Sequence, residues 1–121
     1  MPRVAIAVQQ LKRGVGDGMT TSAPTVGDPA NDHFWFYQVG DLLIVRNINA
    51  GSQTVDVLAV NDPQGRNPLA SGKSTKSVPG TTGVVVFDLG NGSGWIQGGA
   101  DAGQVFVDVG HADLLLEVLR R

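Results

Sequence analysis

The sequence predicts an all-β chain: a single jelly-roll-like β-sandwich of about eight strands with an extended N-terminal arm. From His33 to Arg121 short Val- and Leu-rich runs alternate with turns built from Gly, Asn, Asp and Pro. The turn clusters recur roughly every 8–12 residues, the spacing of short strands joined by tight connections. Gly occurs 17 times in 121 residues, which suits turns and penalises helix interiors by about 1 kcal/mol each relative to Ala. A chain of this length buries one core without covalent staples, so one sandwich domain is expected over residues 33–121, preceded by an arm over residues 1–32.

Within that arm, Arg3 to Val8 has the period of a strand, with Val4, Ile6 and Val8 on one face. Lys12-Arg13-Gly14 and Gly16-Asp17-Gly18 then break the pattern. Residues 19–32 read as an extended loop, because Pro24 and Pro29 disfavour helix at the residue before each. A stretch this long fits a surface loop draped over the sandwich and an arm reaching a neighbour equally well.

The first firm strand is Phe34 to Val39. Its four consecutive aromatics favour a strand, and strand geometry turns Phe34 and Phe36 to one side and Trp35 and Tyr37 to the other. After the Gly40-Asp41 turn, Leu42 to Ile48 is a second strand. Gln53 to Val60 is read as its hairpin partner, returning through Asn49-Ala50-Gly51-Ser52. In that strand Val55, Val57 and Ala59 face one way and Thr54, Asp56 and Leu58 the other. Residues 61–68 are loop by composition. Ser74 to Val78 is a short edge strand ended by Pro79-Gly80, and Thr82 to Leu89 is an apolar run of the kind buried in a sandwich. Gly90 to Gly94 turns the chain before the short run Trp95-Ile96-Gln97. Gln104 to Val109 alternates, with Val105, Val107 and Val109 inward and Asp108 outward. In the last run, Asp113 to Arg121, Leu and Glu favour a helix, but the run is short for a terminal helix and the preceding strands need a partner. It is read as a strand.

The composition excludes several kinds of chemistry. Without Cys there is no disulfide framework and no thiolate metal site. The formal net charge of -2 argues against general nucleic-acid binding, which depends on neutralising phosphates. No stretch approaches the roughly 18 apolar residues of a membrane span, and Gln9 and Gln10 end the N-terminal apolar run too early for a secretory signal; synthesis and assembly in a cytoplasm are expected. Gly72-Lys73-Ser74 looks like the end of a phosphate-binding loop, but Asn67 stands where the pattern needs Gly, and Pro79-Gly80 forbids the helix that must follow. The segments Gly14 to Gly18 and Gly90 to Gly94 lack the dinucleotide fingerprint. His33 and His111 each border a turn and are read as solvent-facing. Asp28, Asp32 and Asp113 lie near them in sequence, which offers at most a weak carboxylate–histidine pair. Asp28 to Asp32 lacks the spacing of a calcium loop. No catalytic, cofactor-binding or metal-ligating residue is therefore assigned, and no enzyme is expected. The aromatic row is the exception. It is read as buried against an arm or subunit, with a sugar-stacking platform using Trp35, Tyr37 or Trp95 as the alternative.

From Gly27 onward the chain resembles a known family. Gly27-Asp28-Pro29-Ala30-Asn31-Asp32-His33 leads into the aromatic strand, Leu43-Ile44-Val45-Arg46-Asn47 precedes Gln53-Thr54-Val55-Asp56-Val57, and Ser77-Val78-Pro79-Gly80-Thr81-Thr82 precedes an apolar strand. Gly103-Gln104-Val105-Phe106-Val107-Asp108 precedes a terminal strand ending in Arg. This order is similar to that of the small β-sandwich head decoration, or auxiliary, proteins of tailed bacteriophages. Related chains commonly carry a Val-Pro-Ala-Gly turn and a Gly-Pro-Phe segment, where this chain has Val78-Pro79-Gly80 and Gly83-Val84-Val85-Val86-Phe87.

The resemblance implies a virion protein on the capsid exterior, without cofactor or chemical step. It would bind the major capsid protein of the expanded shell as a homo-trimer at local three-fold axes and clamp adjacent capsomers, without direct contact to nucleic acid or membrane. It further implies that residues 1–32 contact the capsid or neighbouring copies, with Arg3, Lys12 and Arg13 meeting acidic surface and Phe34, Trp35, Phe36 and Tyr37 anchoring the arm. A carbohydrate-binding fibre or tail module and a minor head–tail junction protein are the alternative readings.

Overall fold

The computed structural model describes residues 2–10, 23–60 and 72–120. These form β1 (Val4–Ala5), β2 (Val8–Gln10), β3 (Thr25–Val26), β4 (His33–Phe36), β5 (Leu42–Asn47), β6 (Gln53–Leu58), β7 (Lys73–Val78), β8 (Val84–Asp88), a 3-10 turn (Gly99–Asp101), β9 (Gln104–Val109) and β10 (Leu114–Arg120). The first sheet has the order β1-β4-β9-β6-β7. The second has the order β2-β10-β5-β8, with β3 also on β10. Among the described residues from β3 to β10, the only consecutive strands paired in one sheet are β6 and β7, and every other connection crosses to the opposite sheet. That path is the jelly roll.

The core follows from the period-two pattern of the strands. Trp35, Val55, Val57, Val78, Val105, Val107 and Val109 from the first sheet meet Leu43, Val45, Phe87, Leu114, Leu116 and Val118 from the second. Burying each Val or Leu is worth about 1.5–3 kcal/mol, which makes this layer the main source of stability. The final run is a strand, and its alternation puts Leu114, Leu116 and Val118 inside.

Residues read as an extended N-terminal arm supply three short strands. β1 runs parallel to β4, pairing Val4 with His33 and Ala5 with Phe34. The chain then crosses through Ile6, only 3% exposed, to β2, which runs parallel to the end of β10. β3 pairs antiparallel with the start of β10, Thr25 opposite Leu116 and Val26 opposite Leu115. One edge of the second sheet is thus assembled from two separate pieces. Gly27 lies in the close approach that follows: its N–H donates to Leu114 O at 2.8 Å, and a Cβ there would sit 2.7 Å from His111 O.

Two expectations are corrected. The Leu42–Ile48 and Gln53–Val60 runs do not form a hairpin: β5 pairs with β8 and β10, whereas β6 pairs with β7 and β9. The reason is Asn47, 1% exposed at the end of β5. Its Nδ2 donates to Gly51 O and Val78 O, each at 2.9 Å, and its Oδ1 accepts from Asn49 N at 2.8 Å. The carboxamide supplies the partners that a hairpin ladder would supply, so the chain arches into the other sheet. The second concerns Arg3 to Val8, read as one strand with one apolar face: β1 and β2 lie in different sheets and the chain crosses between them at Ile6 and Ala7, so Ile6 is buried while Val4 and Val8 are exposed. Trp95-Ile96-Gln97 lies in turns, and Gly90, Gly92 and Gly94, all at positive φ, coil the chain just before it.

Replacing Asn47 with Ala leaves two carbonyl acceptors without their donor. The expected loss is about 1–3 kcal/mol, the cost of leaving the buried Val78 O unsatisfied, because Gly51 is exposed and water can replace the donor to its carbonyl. Urea denaturation of the variant measures it, read as a lower midpoint at unchanged slope.

Candidate interaction surface

The outward face of the first sheet carries an aromatic patch. β4 turns Trp35 inward, at 2% exposure, and Phe36 outward, at 59%. Phe34 lies half-buried beside Phe36, with ring centroids 5.8 Å apart at 88°, an edge-to-face pair. Across the β4–β9 ladder Phe34 is opposite Phe106 and Phe36 is opposite Gln104. Arg3 covers the Phe106 ring at 4.2 Å from its centroid. Pro2, Arg3, Phe34, Asp101, Gln104 and Phe106 line a groove of about 440 Å³. An exposed aromatic row on rigid strands is a surface suited to anchoring a partner.

The residues singled out from sequence divide between this surface and the interior. Phe34 and Phe36 belong to the patch. Trp35 and Tyr37 are buried, so they cannot serve as stacking platforms for a sugar, and Trp95 is packed against the core. Arg3 is engaged within the chain: its NH1 donates to Asp108 Oδ1 at 2.6 Å and to His33 O at 3.3 Å. Lys12 and Arg13 lie outside the described residues. Phe106 and Gln104 were not singled out, although the alternation that sends Val105 and Val107 inward sends these two outward.

Trp35 is held by a buried carboxylate. Asp41, 1% exposed, accepts from Trp35 Nε1 at 3.1 Å and from Gln38 N at 3.0 Å. Arg120 adds a bidentate pair, Nε to Oδ1 and NH2 to Oδ2, each at 3.0 Å. Burial raises the Asp41 carboxyl, but Arg120 and the two N–H donors outweigh it and leave the pKa below the usual carboxylate range. The pair joins the β4–β5 corner to the last strand and is structural in character.

The histidines are not equivalent, and the expectation of two solvent-facing side chains fails for His33, which is fully buried on β4. Its Nε2 accepts from Asp28 N at 2.9 Å, so the proton must sit on Nδ1, which donates to Val4 O at 3.2 Å. The ring thereby ties β1 and the Asp28–Asp32 turn to β4. That turn is closed by its own side chains. Asp28 Oδ1 accepts from Ala30 N and Asn31 N at 3.2 Å, and Asp32, at φ 60, accepts from Val109 N through Oδ1 at 3.0 Å. His111 is part-exposed, with Nδ1 accepting from Asp113 N at 3.0 Å. Among the described residues, no three His, Cys, Asp or Glu side chains converge as metal ligands would, and neither histidine is held against a nucleophile. Lys73 and Ser74 begin β7 and not a helix, so Gly72-Lys73-Ser74 lacks the geometry of a phosphate loop.

Burial pushes the His33 pKa below its ordinary value of about 6.5, against the opposing pull of Val4 O, Asp28 and Asp32; Arg3 reinforces the lowering. The unfolded chain therefore takes up the proton first. Stability is full above about pH 6.5 and is lost as the pH falls through the window below it. Denaturation midpoints from about pH 7 down to about pH 5 should show this decline, and His33→Gln should flatten it. A wild-type midpoint constant across that range would contradict the assignment.

No family model, no curated protein and no solved structure was found to match the chain.

Proposed function

We propose that this chain is a capsid decoration protein of a tailed bacteriophage. It binds the major capsid protein on the outside of the expanded shell and stabilises the shell by clamping adjacent capsomers. The observation that carries this reading is the aromatic patch of exposed Phe36 with half-buried Phe34 and Phe106 on the face of a jelly roll, in a chain whose described residues bring together no metal-binding cluster. The order of turns and strands that resembles the decoration family adds to it. Binding of this kind needs no chemical step. Aromatic anchors supply most of the energy when they enter a pocket and lose water, and a preformed sheet surface docks with little reorganisation.

A sugar-binding role retains one supporting observation, the groove that sets Asp101 and Gln104 beside Phe34 and Phe106. Its platform would be these phenylalanines, because Trp35 and Tyr37 are inside.

Co-sedimentation with expanded, undecorated shells tests the proposal, measured as copies bound per shell. The wild type should saturate. Phe36→Glu, at an exposed position that leaves the core intact, should weaken binding about 30-fold or more, the effect of losing an anchor worth about 2 kcal/mol. Folded wild type that does not sediment with the shells would overturn the reading, and glycan-array binding abolished by Phe106→Ala would replace it with the second.

A further inference from the structure

The aromatic groove on the first sheet has a sign, because its two ionised side chains differ in their surroundings. Arg3 is committed within the chain: NH1 reaches Asp108 Oδ1 at 2.6 Å, and the guanidinium lies over the Phe106 ring. The charges of Arg3 and Asp108 therefore cancel. Asp101 lines the same groove from the 3-10 turn, where it is exposed. Among the described residues it has no ion-pair partner and its carboxylate accepts no hydrogen bond. Gln104 also lines the groove, and its side-chain amide is likewise without a partner among the described residues. The groove thus presents one uncompensated negative charge and one open carboxamide beside Phe34 and Phe106.

The backbone holds these groups in place before anything binds. Asp101 N donates to Gly98 O at 3.3 Å, Gly103 N to Gln97 O at 3.3 Å, and Gln97 N to Gln104 O at 2.8 Å. Tyr37 N donates to Gly103 O at 3.0 Å and ties the turn to the end of the aromatic strand. Gly103, at φ 84, lies close to the Phe36 ring, 3.7 Å from where its Cβ would be. The rings themselves attract cations through their negative faces. The patch already shows this once, since the Arg3 guanidinium sits 4.2 Å from the Phe106 centroid. Phe34, opposite Phe106 in the ladder, is half-buried and no cation among the described residues covers it.

We propose that this groove receives an arginine side chain of the capsid protein, with its guanidinium over Phe34 and paired with Asp101, and with the Gln104 carboxamide oxygen as a further acceptor. The partner's identity rests on the capsid reading; the chemistry of the site does not. Charge, floor and acceptors together select a guanidinium. The open charge is negative, so an anionic segment is repelled and would have to draw Arg3 away from Asp108. The floor is aromatic, and a guanidinium stacks on rings while an ammonium stays more strongly hydrated. Asp101 and Gln104 offer acceptor oxygens, which the planar fork of arginine matches. A neutral sugar would use the rings and leave the Asp101 charge uncompensated, and an apolar side chain would leave both polar groups unmatched. The sign is the reverse of the one implied by the resemblance, in which Arg3 meets an acidic surface.

A blocked glycine-arginine-glycine tripeptide is the probe, titrated into the isotope-labelled full chain at neutral pH and low ionic strength. Amide shifts should saturate in the millimolar range and centre on residues 101–104 and on Phe34. The matching citrulline peptide, which keeps the shape without the charge, should bind at least about fivefold more weakly, and so should the glutamate peptide. Asp101→Asn, at an exposed position, should weaken the arginine peptide by about the same factor with the rest of the spectrum unchanged. Equal binding of the arginine and citrulline peptides, binding that survives Asp101→Asn, shifts centred elsewhere, or no shift at all would each overturn the proposal. Sedimentation with shells separates it from the reading it rests on. Shells that bind wild type and Asp101→Asn equally would remove the arginine site and leave the capsid reading standing. Peptide binding as expected, with no binding to shells, would remove the capsid protein as partner and leave arginine recognition standing.

Discussion

A chain that crosses between two sheets at almost every connection must find hydrogen-bond partners for its backbone at each corner, where no ladder exists. This requirement organises the molecule. Buried N–H and C=O groups are costly when unpaired, and here polar side chains stand in for the missing strand. His33, Asp41 and Asn47 are among the few buried polar residues. They sit at three successive crossings: into β4, between β4 and β5, and between β5 and β6. His33 joins Asp28 N and Val4 O, Asp41 accepts from Gln38 N, and Asn47 satisfies Gly51 O, Val78 O and Asn49 N. Each corner is closed by a side chain whose donor and acceptor atoms match the backbone groups that the crossing leaves open.

The same side chains bind distant parts of the chain together. Asp41 holds Arg120 at the end of β10 as well as the Trp35 indole, and Arg120 NH2 also donates to Phe36 O at 2.9 Å. The strand that presents Phe36 outward is therefore fixed from behind by an ion pair and by a buried indole. Arg3 acts similarly from the front, linking Asp108, the His33 carbonyl and the Phe106 ring. A rigid support of this kind is what an aromatic recognition surface needs, since little ordering entropy remains to be lost on binding.

How much of this was legible in the sequence depended on the length of each pattern. The alternation in Gln104–Val109 gave the correct inward and outward faces, in the aromatic strand it separated Phe34 and Phe36 from Trp35 and Tyr37 without telling which pair is inside, and the absence of a helix-length run made the last segment a strand. The period over Arg3–Val8 was legible as a strand but its break at Ile6–Ala7, where the chain changes sheet, was not, and the two-residue β3 carries no period to read. The expected hairpin failed for a different reason. A strand that returns beside its predecessor and one that returns across the core have the same alternation, and only the buried carboxamide of Asn47 separates them. His33 was misread because a turn histidine and a corner-closing one are identical in sequence. Its role depends on Val4 O, which approaches from a strand far upstream. Phe106 was overlooked although its neighbours' inward direction already fixed its own.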